Sequence, residues 1–137
     1  MCHRLMLLGL LVAVDATAAT VQPPVIAAHD LAPTAAEQAL QAVDCARRRG
    51  VGVDATRLAI IDYELPSRQP RLWVFDLAQG KLLFHEHVAH GRNSGADLAT
   101  AFSNRTGSRQ SSLGLFLTAD TYLGGNGYSL RMHGLNG

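Results

Sequence analysis

Between residues 88 and 114 the chain collects a high density of hydrogen-bonding side chains. "VAHGRNSG" (88–95) and "FSNRTGSRQSSLG" (102–114) together hold one His, three Arg, two Asn, five Ser and four Gly, set between apolar runs. Guanidinium forks, amides and hydroxyls gathered in this way suit a polar ligand held by directional hydrogen bonds. The same residue types also satisfy turn geometry, because Asn, Ser and Gly dominate tight turns. Residue type alone leaves both readings open. The side chains that would form such a rim are Arg92, Asn93, Ser94, Asn104 and Arg105.

Three other groups invite a chemical reading. His85 and His87 are two residues apart, so on a strand they share a face and could present two imidazoles to a metal, with His90 close by. No further ligand follows at a suitable spacing except Glu86, which falls on the opposite face. A polar outer strand face is therefore expected, with no metal. A serine nucleophile in "SSLG" (111–114) lacks both the G-x-S-x-G elbow and an identifiable base. Cys45 lies in a helical segment about 140° around from Leu40 at 100° per residue, away from the apolar stripe. It is expected to face solvent and to be unreactive.

The chain that positions these groups has 137 residues, which suits one domain. It is 47% hydrophobic and 17% charged, with net charge +1. That balance gives no electrostatic case for nucleic acid or an anionic membrane surface. The one basic cluster, "CARRRG" (45–50), suits the last turn of a helix. "MCHR", an apolar run at 5–14 and small residues at "ATA" (16–18) predict an export signal over 1–19. Ten apolar residues are too few to span a bilayer, so no stable membrane anchor is expected. With Cys2 removed in the signal, Cys45 is alone and no intrachain disulfide is expected.

A Pro- and Ala-rich linker is expected over 20–33. A helix should follow over 34–50, with Thr34 and Glu37 at capping-box spacing and Gly50 as its stop. Short strands are expected at 57–62, 71–77, 81–89, 113–119 and 128–134. The second and third form a hairpin about "AQG", apolar enough on both faces to be covered on each side. "DTYLGGNG" (120–127) is expected to be a Gly-rich turn. The pattern predicts a mainly β fold with an N-terminal helix, as a β-sandwich or barrel-like sheet.

The stretches 58–95 and 102–137 resemble the murein L,D-transpeptidase catalytic-domain family, a branch of the YkuD-like enzymes. The motifs "VAHGRNSG", "FSN", "SSLG" and "YSLR…GL" occur in the family's order. The resemblance implies an exported cysteine acyltransferase without cofactors. It would act on meso-diaminopimelate of peptidoglycan tetrapeptide stems, with D-alanine leaving, a His as base and backbone N–H groups at the oxyanion. By position in the motifs, substrate contacts are expected from His90, Arg92, Asn93, Ser94, Asn104, Ser111, Ser112 and Arg131. The family's catalytic His and Cys are expected after "GL" (134–135), beyond Gly137, so the fold is expected to be truncated at its C-terminus. His133 in "MHGLNG" resembles the catalytic "HG" but falls one strand early. The domain is thus expected to run over 34–137, its β part over 57–137. Two other functions fit the residues less fully: a non-catalytic exported module that binds cell-wall peptide, and a metal-binding protein using His85, His87 and His90.

Overall fold

A computed structural model describes residues 30–125 and 127–135. The expected export signal and most of the expected linker lie outside these residues. Among the described residues no helix is long and apolar enough to cross a membrane.

Helix α1 spans Pro33–Arg48. Proline in its first turn sacrifices no hydrogen bond, since that N–H has no intrahelical partner. The Ala32 carbonyl accepts the Ala36 N–H at 3.1 Å. This start corrects the expected capping box: the N-cap is Ala32, without a side-chain cap, and Thr34 is already helical. Pro33 sets the boundary two residues too early for the Thr34 hydroxyl to cap. The stop is as expected. Gly50 adopts φ 75°, its N–H reaches Arg47 O, and the Val51 N–H reaches Ala46 O, both at 2.9 Å. That pair of bonds is the Schellman motif, which needs a left-handed residue where Gly50 stands. Arg47 and Arg48 occupy the last turn, where cations suit the helix dipole.

Strands β1 (Arg57–Ile61), β2 (Leu72–Asp76) and β3 (Lys81–Glu86) form an antiparallel sheet in that order. Alternation places Leu58 and Ile60 of β1 opposite Phe75 and Trp73 of β2. All four are buried, with Leu31 and Ala36 in the same core; Ala35, Ala39, Leu40 and Val43 pack against it from α1. Each such side chain contributes ~1.5–3 kcal/mol when fully buried. The other sheet face is less protected. Ile61 is 40% and Phe84 55% exposed, which corrects the expectation of cover on both sides of the β2–β3 hairpin. A single helix covers one face only, and β3 is an edge strand whose alternation is broken by a register shift at Val74/Phe75.

Strands β4 (Phe116–Gly124) and β5 (Gly127–Gly134) form a separate two-stranded antiparallel sheet. Most of 120–127, expected as a turn, is strand. Thr121, Tyr122 and Leu123 favour extended backbone, and pairing continues to Gly124↔Gly127. Along β5, Tyr128, Leu130 and Met132 alternate with Ser129, Arg131 and His133, so one hairpin face is apolar. That face is open: Leu123 is 84%, Tyr128 76% and Met132 62% exposed. A cleft of about 820 Å³ is lined by Ala59 and Ile61 of β1 and by Leu117, Leu130 and Met132 of the hairpin. The whole is mainly β with one helix ahead of the strands, as expected.

Candidate functional site

The segment leaving β3 and the segment entering β4 are folded onto one another, and Ser111 is where they meet. Its hydroxyl accepts the Gly91 N–H at 2.9 Å. Its own N–H donates to Ser94 Oγ at 2.7 Å, and its carbonyl accepts the Ser103 N–H at 3.1 Å. Phe102 and Ser111 form a parallel bridge, and the Ser112 hydroxyl donates to Ser103 O at 3.1 Å. Three motifs far apart in sequence, "AHGRNSG", "FSN" and "SSLG", are therefore one hydrogen-bonded unit.

Two glycines permit this approach. A Cβ on Gly91 would stand 2.5 Å from Arg109 O and 2.8 Å from Ser111 N, so only a residue without a side chain fits between the segments. Gly95 has φ 151°, and a Cβ there would meet Leu98 O at 2.0 Å. Ser94, fully buried, closes the loop between them. Its carbonyl accepts the N–H groups of Thr100 and Ala101 at 2.7 and 2.9 Å, and its own N–H donates to Gly91 O at 2.8 Å. Asn93 is spent similarly: its N–H donates to Arg109 O at 3.1 Å and its amide to Ser108 O at 2.9 Å.

The structure thus divides the expected substrate-contact residues. Ser94, Asn93 and Ser111 hold the unit together. Arg92 and Asn104 are exposed on it. Ser111 and Ser112 also line the cleft, together with Arg131 and His133 of β5. Arg131 lies over the Tyr122 ring with its guanidinium carbon 4.7 Å from the centroid, a cation–π contact. His90 faces the sheet: Nδ1 is 2.8 Å from Arg71 Nη2 and Nε2 is 3.3 Å from Gly95 O.

The three neighbouring histidines go to three different partners. His85 stacks on Trp73 at 4.7 Å and 19°, and His87, one residue past the end of β3, bonds Arg68 O at 3.1 Å. Among the described residues no three His, Cys, Asp or Glu side chains are grouped to hold a metal ion. Cys45 is exposed on α1, as its angular position predicts. The Ser111 hydroxyl meets a backbone N–H, not an imidazole.

Two anchors escape a reading by motif. Arg71, fully buried, bonds Val88 O through Nε at 3.1 Å and Nη2 at 2.9 Å, and Leu65 O through Nη1 at 2.8 Å. It lies 5.1 Å from the Tyr63 ring centroid, and Tyr63 in turn meets Phe102 at 5.7 Å. The signal was present: Arg71, Trp73 and Phe75 are in phase on one strand face. On the outer side, Asp97 ties the loop to 67–68, accepting the Ser67 hydroxyl at 3.2 Å and pairing with Arg68.

Searches of curated proteins and of solved structures return no match. A family model does match, over residues 27–137, and its description is "L,D-transpeptidase catalytic domain". The match takes in α1, all five strands and the unit centred on Ser111, and it covers most of the chain. The protein therefore belongs to the YkuD_2 family of L,D-transpeptidase catalytic domains.

Proposed function

We propose that this chain supplies the framework and substrate rim of an exported L,D-transpeptidase acting on peptidoglycan stems, and that the attacking thiol and its base lie outside residues 1–137. The family acts on peptidoglycan peptides. The observation that carries the reading here is the convergence of three family motifs on Ser111. Such a unit holds Arg92, Asn104 and Ser112 at fixed positions. A stem peptide rich in amide and carboxylate groups can be recognised by the Arg92 and Asn104 donors and by Ser112 Oγ as an acceptor, its hydrogen being given to Ser103 O. Arg131, on the hairpin that continues from "SSLG", is assigned to the same substrate.

In the reaction a thiolate attacks the meso-diaminopimelate carbonyl. A C–S bond forms, the C–N bond to D-alanine breaks, and the leaving amine takes the proton held by the base. An acceptor amine then releases the thiolate. Cys45 does not fit the nucleophile's part, nor His90 the base's. Cys45 is exposed on a helix, and both ring nitrogens of His90 are engaged. The open apolar face of the β4–β5 hairpin supports further strands from the same domain, because a two-stranded sheet needs a covered face for stability.

Carbapenems acylate the catalytic cysteine of enzymes of this kind. Mass spectrometry after carbapenem treatment should show no adduct on the 137-residue chain. A version extended through the family's His and Cys segment should gain one adduct, on a cysteine absent from this sequence. A stoichiometric adduct on Cys45 would overturn the assignment. An extended version that binds stem peptide yet never acylates would point to a cell-wall peptide-binding module.

A further inference from the structure

Arg71 is a cation taken wholly out of water. Among the described residues the two ion pairs are Arg48–Asp44 and Arg68–Asp97, so no carboxylate compensates it. An isolated buried charge is costly, and it persists only where dipoles and hydrogen bonds replace its hydration. Here the replacement is specific: the carbonyls of Val88 and Leu65, the Tyr63 ring face, and one nitrogen of His90. The backbone of Arg71 is fixed too, with its N–H on Glu86 O and its carbonyl on the Asp62 N–H, both at 3.0 Å.

Arginine has donors only. The bond at 2.8 Å therefore requires His90 Nδ1 to offer its lone pair. A neutral imidazole then carries its hydrogen on Nε2, where Gly95 O stands 3.3 Å away as acceptor. One guanidinium thus sets the tautomer of His90, and His90 reaches across to the far end of the segment 90–95.

We infer that Arg71 is the positioning residue of the substrate rim. It docks 88–95 on the sheet in a single arrangement. Gly91 and Ser94 pass that arrangement to Ser111, and so to Ser112. Arg71 touches no substrate; it decides where the groups that do are held. Lysine cannot replace it, because one ammonium cannot serve carbonyls and an imidazole through a planar fork. Only the identity of the ligand on the rim rests on the peptidoglycan reading.

Nitrogen-15 NMR of the imidazoles in the full chain tests this, with His90→Gln identifying the signal. His90 should be the Nε2–H tautomer at neutral pH. In Arg71→Lys the signal should become a tautomer mixture, and amide exchange at 88–95 and 108–112 should rise on the order of tenfold, while β1 and β2 keep their protection. Nδ1–H or imidazolium in the wild type would overturn the inference, as would an unchanged tautomer in Arg71→Lys. If that variant does not fold, the wild-type tautomer decides alone. Titrating a soluble tetrapeptide stem separates the two claims. The expected tautomer without stem binding sinks the peptidoglycan reading and upholds Arg71; binding with the wrong tautomer does the reverse.

Discussion

The loop unit around Ser111 and the β4–β5 hairpin are built in opposite ways. The loop unit has little apolar content and is closed by hydrogen bonds: every backbone group that Ser111 offers is used, and Ser94 is fully buried. The hairpin is held by its strand-to-strand ladder, broken by one register shift between Thr118 and Thr121, and has an apolar face left open to water, with Leu123, Tyr128 and Met132 mostly exposed. The first region is locally complete. The second has the pattern of a sheet that expects a neighbour. A rim must be rigid before its ligand arrives, since ordering it on binding would cost affinity. A sandwich strand pair can wait for the rest of the core.

Substitutions should expose that contrast. The largest effect belongs to neither region but to the core between α1 and the three-stranded sheet. Trp73→Ala, at a position 1% exposed, should cost ~3–5 kcal/mol in denaturant unfolding. Ser94→Ala comes next. It strands the Ser111 N–H inside the loop unit and should cost ~1–3 kcal/mol, with faster amide exchange confined to 90–112. A polar substitution on the hairpin's apolar face, Met132→Thr, should stay within about 0.5 kcal/mol in the 137-residue chain, as expected of an exposed site. In the version extended through the His and Cys segment the same change should cost more. Equal costs in the two versions would mean that nothing covers this face.

Much of this organisation is visible in the sequence, for identifiable reasons. Short, continuous apolar runs mark β1 and β2, LAII at 58–61 and LWVF at 72–75, while the alternation that buries Leu58, Ile60, Trp73 and Phe75 appears only in the structure. Gly50 marks the end of α1, because only the left-handed region closes that cap. The hairpin turn misleads because Gly124, Gly125 and Gly127 look like a long loop, whereas Thr121, Tyr122 and Leu123 carry the strand through to it. The helix start misleads because Pro33 outranks the Thr34–Glu37 spacing. At the site, residue type finds the loop but not the direction of each side chain. Ser94 and Asn104 look alike in sequence; one is buried and one exposed, a difference fixed by the approach of 108–112 over Gly91. Arg71 is overlooked because an arginine before an apolar run suggests a solvated strand end.

The central claim is that this hydrogen-bonded loop unit, and not the apolar hairpin face, receives the peptidoglycan stem. Chemical-shift mapping with a soluble tetrapeptide stem, at increasing concentration on the labelled chain, tests it directly. The account predicts saturable shifts at Arg92, Asn104, Ser112 and the Arg131 side chain, with the side chains of Leu123, Tyr128 and Met132 unmoved. Saturable shifts confined to those three hairpin residues, or none at any concentration of stem, would contradict it.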